Sequence, residues 1–415
     1  MSGNDVGGAA PGGRRVAAGL VAAAFLLAMV VLVVGSLRVA EVRRGAVGYL
    51  IAALSIGGGA APPPTPPPPA SAQAIARGLL VDPLDPMLVN AGVYADAVRA
   101  PSHAPPAAKL AALAHLGWRY TPAVQNRIYA AALAGDLAGT AGLAEALLRR
   151  RTIIDQATAF MNLIEGDATA RPLLAAKLVG DPRWRTDYLQ AVDQLRTPAQ
   201  IRARGELALQ LQAAGSRLRR DELGPITSKL AAAGMTDIAY WIWRNDTRAP
   251  ETPLNDPDFA RLYALRETDV LAMPFEWILR SDDGAWTEVR RAGSALVDIH
   301  WDGRGAPVFL QQQTFLTPGP YRLRIAGPDA RAGLLAKLAF EAHCGNALPV
   351  RFDRPIRVGA GAMLVASQRP IACRDPIVFV VGIAPENRPS GFSGLVEGDE
   401  GVTVTLAGLR LVAGR

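Results

Sequence analysis

The sequence predicts a multidomain chain, α then β: a single N-terminal transmembrane helix, an α-solenoid, and a C-terminal jelly-roll-like β-sandwich. Three observations carry this. Residues 16–36 form an apolar run without a charge. From about residue 73 to 248, apolar residues recur at three- and four-residue spacing, the period of a helix face. From residue 274 onward they alternate in short segments between turn residues, the period of a strand. At 415 residues the chain is long enough for two or three domains.

Residues 1–15 are small and polar and end in Arg14-Arg15; they read as a cytoplasmic tail. VAAGLVAAAFLLAMVVLVVGS follows, from Val16 to Ser36. Its roughly 21 residues at 1.5 Å rise span about 31 Å, a bilayer core. A secretory signal has a shorter apolar region, so residues 16–37 read as an uncleaved anchor. Arg38, Arg43 and Arg44 follow it, and a bare count of flanking charge favours a cytoplasmic C-terminus. The paired cysteines and the β-domain favour the opposite, and the bulk of the chain is expected in the periplasm, single-pass in a bacterial inner membrane. Residues 38–72 are an apolar, Gly- and Pro-rich linker. Its prolines between Pro62 and Pro69 favour polyproline II, a stiff spacer of roughly 25 Å.

Residues 73–248 carry repeated helix-start signals, a capping side chain followed by proline: Asp85-Pro86, Thr121-Pro122, Asp181-Pro182 and Thr197-Pro198. Gly135, Gly180 and Gly234 sit where helices should stop. Arg149, Arg150 and Arg151 read as a helix end, where cations offset the dipole. Roughly nine or ten helices of about 11–17 residues are expected, stacked as antiparallel pairs. Asn126 to Arg150 reads helix, Gly135-Asp136 turn, helix; Ala76 to Arg99 has the same outline. Both resemble the tetratricopeptide (TPR) unit in helix length and small-residue packing, without its full Trp, Tyr and Pro consensus. That TPR-like resemblance implies a concave face for a protein partner. Trp118, Trp184, Trp241 and Trp243 read as core; Trp241 and Trp243, two apart, cannot share a helix face, which puts one of them at an inter-helix or inter-domain contact.

Residues 249–273 form a turn-rich linker with one short helix, and 274–415 the sandwich, with about nine strands. QQTFLTPGPYRLRI, Gln312 to Ile325, reads as a hairpin turning at Pro318-Gly319, with Tyr321, Leu323 and Ile325 on one face and Arg322 and Arg324 on the other. Leu316 to Leu323 resembles the L-x-P-G-x-Y-x-L hairpin of carbohydrate-binding-module-like sandwiches, which implies a glycan ligand. Sugar recognition needs flat exposed aromatics beside polar groups. Trp286, after the polar loop 281–285, Trp301, between His300 and Asp302, and Tyr321 are the glycan-binding candidates. Phe392 is a further exposed-aromatic candidate, and Trp277 reads as core. Cys344 and Cys373 read as one structural disulfide in an oxidising compartment.

The chain has 44 basic and 37 acidic residues, net +7, with no like-charge block long enough for a nucleic-acid stripe. There is no H-E-x-x-H, G-x-S-x-G elbow or P-loop, so no catalytic residue, metal or cofactor is assigned. Asp282, Asp283, Glu288, Asp298, Asp302 and Glu341 supply carboxylates of the kind a glycosidase pairs, but the sequence places no two of them across a cleft. The expected function is a non-enzymatic, membrane-anchored periplasmic scaffold or binding protein. Its layout is similar to accessory factors of envelope or exopolysaccharide assembly and export. The alternatives are a polysaccharide-modifying hydrolase or lyase, and a purely structural subunit of an inner-membrane complex.

Overall fold

The computed structural model describes residues 69–99, 107–116, 119–268, 272–359, 361–384 and 401–414. The expected tail, the anchor at Val16–Ser36 and the linker up to residue 68 lie outside them. Among the described residues no helix is long and apolar enough to cross a membrane. The chain divides into two compact units, Met1–Met161 and Asn162–Arg415.

The first unit contains helices α1 (Pro69–Val81), α2 (Pro86–Arg99), α3 (Ala107–Leu116), α4 (Thr121–Leu133) and α5 (Leu137–Arg150), and most of α6 (Ile154–Gly166). Val89 and Val93 of α2, Leu113 of α3 and Ala123 of α4 form a small buried core. The sequence signals act unevenly. Asp85 caps α2, accepting the Met87 N–H at 2.8 Å. Thr121 is instead the first helical residue, and Tyr120 at the cap position offers no side-chain bond. Asp136 caps α5 at 2.8 Å, and Arg151 ends it in the left-handed region after Arg149 and Arg150. Polar bonds join helices two apart: Asn126 on α4 donates to Asn90 on α2 at 2.7 Å, and Gln125 on α4 to Gln156 on α6.

In the second unit, α7 (Arg171–Val179), α8 (Arg185–Gln190), α9 (Pro198–Ala213), α10 (Arg220–Ala232) and α11 (Thr236–Thr247) precede α12 (Ala260–Glu267). Thr197 and Gln200 form a capping box at the start of α9. Asp181-Pro182 starts no helix: Asp181 has φ 48° and α8 begins only at Arg185. The chain between 171 and 190 is thereby cut into two short helices, which is why α1–α11 outnumber the nine or ten expected.

These helices bury charge. Arg204 on α9 is 1% exposed and donates five bonds: two to Glu165 (2.8 and 3.0 Å), one to Asn162 (2.9 Å), and two to the carbonyls of Tyr188 and Leu189 (2.9 and 3.0 Å). Burial alone would lower its pKa; the Glu165 carboxylate outweighs that and raises it. Arg185 on α8 grips Glu222 on α10 in a two-point pair at 3.1 and 3.0 Å. Arg171 on α7 reaches Glu206 on α9.

The sheet region has strands β1 (Ile278–Leu279), β2 (Ala285–Ala292), β3 (Ser294–Trp301), β4 (Val308–Gln313), β5 (Tyr321–Ala326), β6 (Leu338–His343), β7 (Val350–Gly359), β8 (Ala362–Ser367), β9 (Ile377–Gly382), β10 (Val402–Leu406) and β11 (Gly408–Ala413). Eight form a curled antiparallel sheet in the order β1-β4-β9-β6-β7-β8-β5-β11, and three form a second sheet, β10-β3-β2. The pairing is nested: β6 with β7, β5 with β8, β4 with β9, β3 with β10. Register shifts in β7 around Asp353 and Ile356 let the larger sheet bend. Strands β10 and β11 are separated only by Ala407, so one stretch of chain serves both sheets. The enclosed core includes Trp277, Ile299, Trp301, Phe309, Phe340 and Phe352.

The expected hairpin at Gln312–Ile325 is corrected. Its faces alternate as read, with Tyr321, Leu323 and Ile325 buried, but β4 and β5 are not partners; β4 lies between β1 and β9, and β5 between β8 and β11. The chain between them turns its donors elsewhere: Thr314 N–H bonds Pro376 O, Leu316 N–H bonds Arg374 O, and Gly319 pairs with Ile371. Pro318-Gly319 is therefore a crossing between strand neighbourhoods. Cys344 and Cys373 are joined as expected, with Cα atoms 5.7 Å apart, tying the end of β6 to the segment that leads into β9.

Candidate functional site

The outer face of the three-stranded sheet is built from its turn upward. Gly293, at φ 79°, links β2 to β3 in a tight hairpin. Centring the register there sets Trp286 opposite His300 and Glu288 opposite Asp298. Strand β10 adds Thr403 beside His300 and Thr405 beside Asp298. Alternation then sends Val289, Val297, Ile299, Trp301, Val402 and Val404 inward and leaves Trp286, Glu288, His300 and Thr403 on the outside.

Trp286 is 53% exposed and its ring stacks on His300, centroids 4.9 Å apart and planes at 16°. His300 Nδ1 lies 3.3 Å from the Thr403 hydroxyl. One row along, Asp298 is held by Arg290 and by the Thr405 hydroxyl. Burial pushes the Asp298 carboxyl up, but these bonds outweigh it and hold it below the usual range. The result is a flat indole with one face supported by an imidazole, flanked by a hydroxyl and an exposed carboxylate. Such a surface suits the C–H face of a sugar ring, with hydroxyls bonded at its edge.

The other two aromatic candidates are corrected. Trp301 is 2% exposed; its Nε1 donates to Arg304 O at 2.6 Å, and a Cβ placed on Gly382 would come within 3.1 Å of its ring. Tyr321 is 6% exposed and donates its hydroxyl to Thr317 O at 2.7 Å. Both rings are core and offer no face to a ligand on the surface. In His300-Trp301-Asp302 only one of two neighbouring strand residues can face out, and it is His300. Trp277 is core as expected, with Nε1 on Asp256 O at 3.1 Å; Phe392 lies outside the described residues.

The carboxylates serve separate tasks. Asp282 and Asp302 accept turn N–H groups, and Glu341 on β6 pairs with His343 and Arg351 at 2.8 and 2.9 Å. Only Glu288 and Asp298 share a face, and Asp298 is already engaged. Sequence reasoning missed His300 and Thr403 as parts of the site. For His300 the signal was present: with Gly293 as the turn centre, Trp286 and His300 are equidistant from it. No family model and no curated protein matches this chain.

Proposed function

We propose that the chain is a non-catalytic, membrane-anchored binding protein whose β-region contacts glycan through Trp286. The observation that carries this is the exposed indole stacked on His300 beside Thr403 on the outer face of a sheet. An exposed Trp with a rigid backing surface has little to gain from folding and much to offer a ring-shaped ligand. The nested pairing of β3 to β10 supports a jelly-roll reading of the sandwich. Polar bonds between helices two apart, at separations of 36, 31, 35 and 37 residues, support a TPR-like stacking of α-hairpins with a protein partner on the helices. The run Val16–Ser36 supports an inner-membrane anchor with the bulk of the chain in the periplasm, and the layout favours a role in envelope polysaccharide assembly or export. Retention on immobilised bacterial exopolysaccharides is the decisive experiment. The full chain should be retained, and Trp286→Ala should lose at least tenfold in affinity. No retention of the unaltered chain, or equal retention of the variant, ends the glycan reading; a C-terminal reporter fusion that is active only in the cytoplasm ends the periplasmic one.

A further inference from the structure

The outer face of the larger sheet has two halves. Beside β4 and at the entry to β9 it meets helix α11: Gln313 and Asp375 bond Thr236 at 3.4 and 3.1 Å. On β11, β5, β8 and β7 it is basic. Leu323, Val365 and Leu411 turn into the core, so their strand neighbours turn out. Cross-strand register sets these neighbours in two rows. In one, Arg322 and Arg354 stand on either side of Ala366; in the next, Arg324 and Arg357 stand on either side of Leu364, and Arg410 lies directly opposite Arg324. Arg324, Arg354, Arg357 and Arg410 are exposed, and Arg322 is half-buried.

Two details of the backbone build this field. Strand β7 carries an extra residue at Asp353 and another at Ile356. Arg354 and Arg357 are three apart and would face opposite ways in a regular strand; the bulge between them sets both on the outer face. Arg324 and Arg410 face each other across β5 and β11, a like-charge pairing that costs stability. Among the described residues neither these two nor Arg354 and Arg357 has an ion-pair partner, whereas Arg351, at the border with β6, is held by Glu341 at 2.9 Å. Strands β5, β8 and β11 contain no Asp or Glu, and the one carboxylate of β7, Asp353, is bonded by Gln368. Cations gathered at a cost, with no carboxylate of their own strands to meet them, ask for an anion from outside.

We infer that this face binds an acidic polysaccharide, with its uronate-type carboxylates on the guanidinium forks. The inference rests on the reading of the β-region as glycan-binding and gives the glycan its charge; the face lies on the other sheet from Trp286. A guanidinium matches a carboxylate in a two-point bond. The rows stand about 7 Å apart and reach about 14 Å from β11 to β7, more than one small anion covers and suited to a chain that repeats its charge. The rows hold no Trp, Tyr or Phe. They offer single-stranded nucleic acid no stacking surface and a bilayer no aromatic anchor, and a flat sheet face puts nothing into a duplex groove.

The test compares binding of the full chain to polygalacturonate and to the same polymer with its carboxylates reduced to neutral alcohols. The acidic polymer should bind at least tenfold more tightly, and rising salt should weaken it and spare the neutral one. Arg324→Gln with Arg410→Gln should remove most of that preference without lowering the unfolding midpoint, because it relieves a like-charge pair. Arg202→Gln with Arg266→Gln takes the same charge from exposed helix positions and should leave the preference unchanged. Trp286→Ala should leave the ratio between the polymers unchanged. No binding of the acidic polymer, equal loss in both arginine pairs, or tighter binding to polyglutamate, duplex DNA or phosphatidylglycerol vesicles would overturn the inference. Equal binding of the two polymers that Trp286→Ala abolishes would overturn it and leave the glycan reading standing. If Trp286→Ala changes the binding of neither polymer and the acidic preference remains, the Trp286 platform falls and the arginine face holds.

Discussion

The helices between 162 and 248 and the sheet region after 277 solve the same problem with opposite materials. The helices are short, and beside fully buried apolar side chains such as Leu178, Leu207, Ile226 and Trp243 they bury paired charges. Their geometry is set by buried charge: Glu165, Arg171, Arg185, Arg204 and Glu222 are all at most 6% exposed. The sheet region encloses one large apolar core, fixes its order by nested backbone pairing and closes one loop with a disulfide. A latch of fully bonded charges specifies one helix register and tolerates no loss of a partner, while an apolar core degrades gradually.

Breaking the latch should show this most strongly. Arg204→Ala leaves Glu165 buried without its cation, a loss of about 3–5 kcal/mol. In denaturant titrations the helical signal should unfold first, and hydrogen exchange should rise in α7–α9 before the sheet. The pair Arg204→Met with Glu165→Leu should recover most of that stability, because no charge is then left alone. A double variant as unstable as the single one would mean that the latch contributes net stability and not register alone.

The sheet counterpart is Cys344→Ser with Cys373→Ser. The cross-link separates residues 29 apart in sequence, and releasing it should cost about 3.6 kcal/mol on the chain-entropy account. Hydrogen exchange should rise around β6 and β9 and leave α7–α11 protected.

Acidification should separate the two regions by sign. Asp246 at the end of α11 has its pKa raised, chiefly by burial and in spite of bonds from Gln212 and the Leu218 N–H. Its protonated form favours the fold, so the helical region gains stability as pH falls through the folded pKa toward the unfolded value near 4. Asp298 in the sheet is lowered. Its contribution is complete above the unfolded pKa and is lost as pH falls through the folded one. Thermal unfolding from pH 7 to 3 should show a helical gain first and a sheet loss later; Asp246→Asn should remove the gain and Asp298→Asn flatten the loss.

The same contrast governs what the sequence made legible. Periodicity placed both regions, because burial on one face leaves a 3.6 or 2.0 repeat whatever the partner is. Thr197-Pro198 and Asp85-Pro86 were readable caps because each bonds within its own turn. Asp181-Pro182 was not, because a proline permits a helix start without requiring one. The latches escaped notice because Arg204 and Glu165 are 39 residues apart and look like surface charge. The Gln312–Ile325 stretch misled because alternation reports faces and not partners; β5 seeks β8, 36 or more residues on. Trp286 was legible as exposed from its polar loop, whereas Trp301 needed the strand parity that Gly293 fixes.

The smallest expected stability effect is therefore at the residue expected to matter most for binding. Trp286→Ala removes a ring that is half in solvent and whose stack on His300 is worth about 0.5–1.5 kcal/mol, so the unfolding midpoint should fall by little, and only through the β2–β3–β10 sheet. His300→Ala should cost a similar amount and weaken glycan retention less, since it removes the support and leaves the platform. Trp301→Ala, by contrast, opens a cavity in the core and should cost about 3–5 kcal/mol. If Trp286→Ala destabilised as much as Trp301→Ala, the indole would be structural and the outer face would lose its claim to a ligand. A small change in stability together with a large loss of retention is the signature of a surface kept for binding.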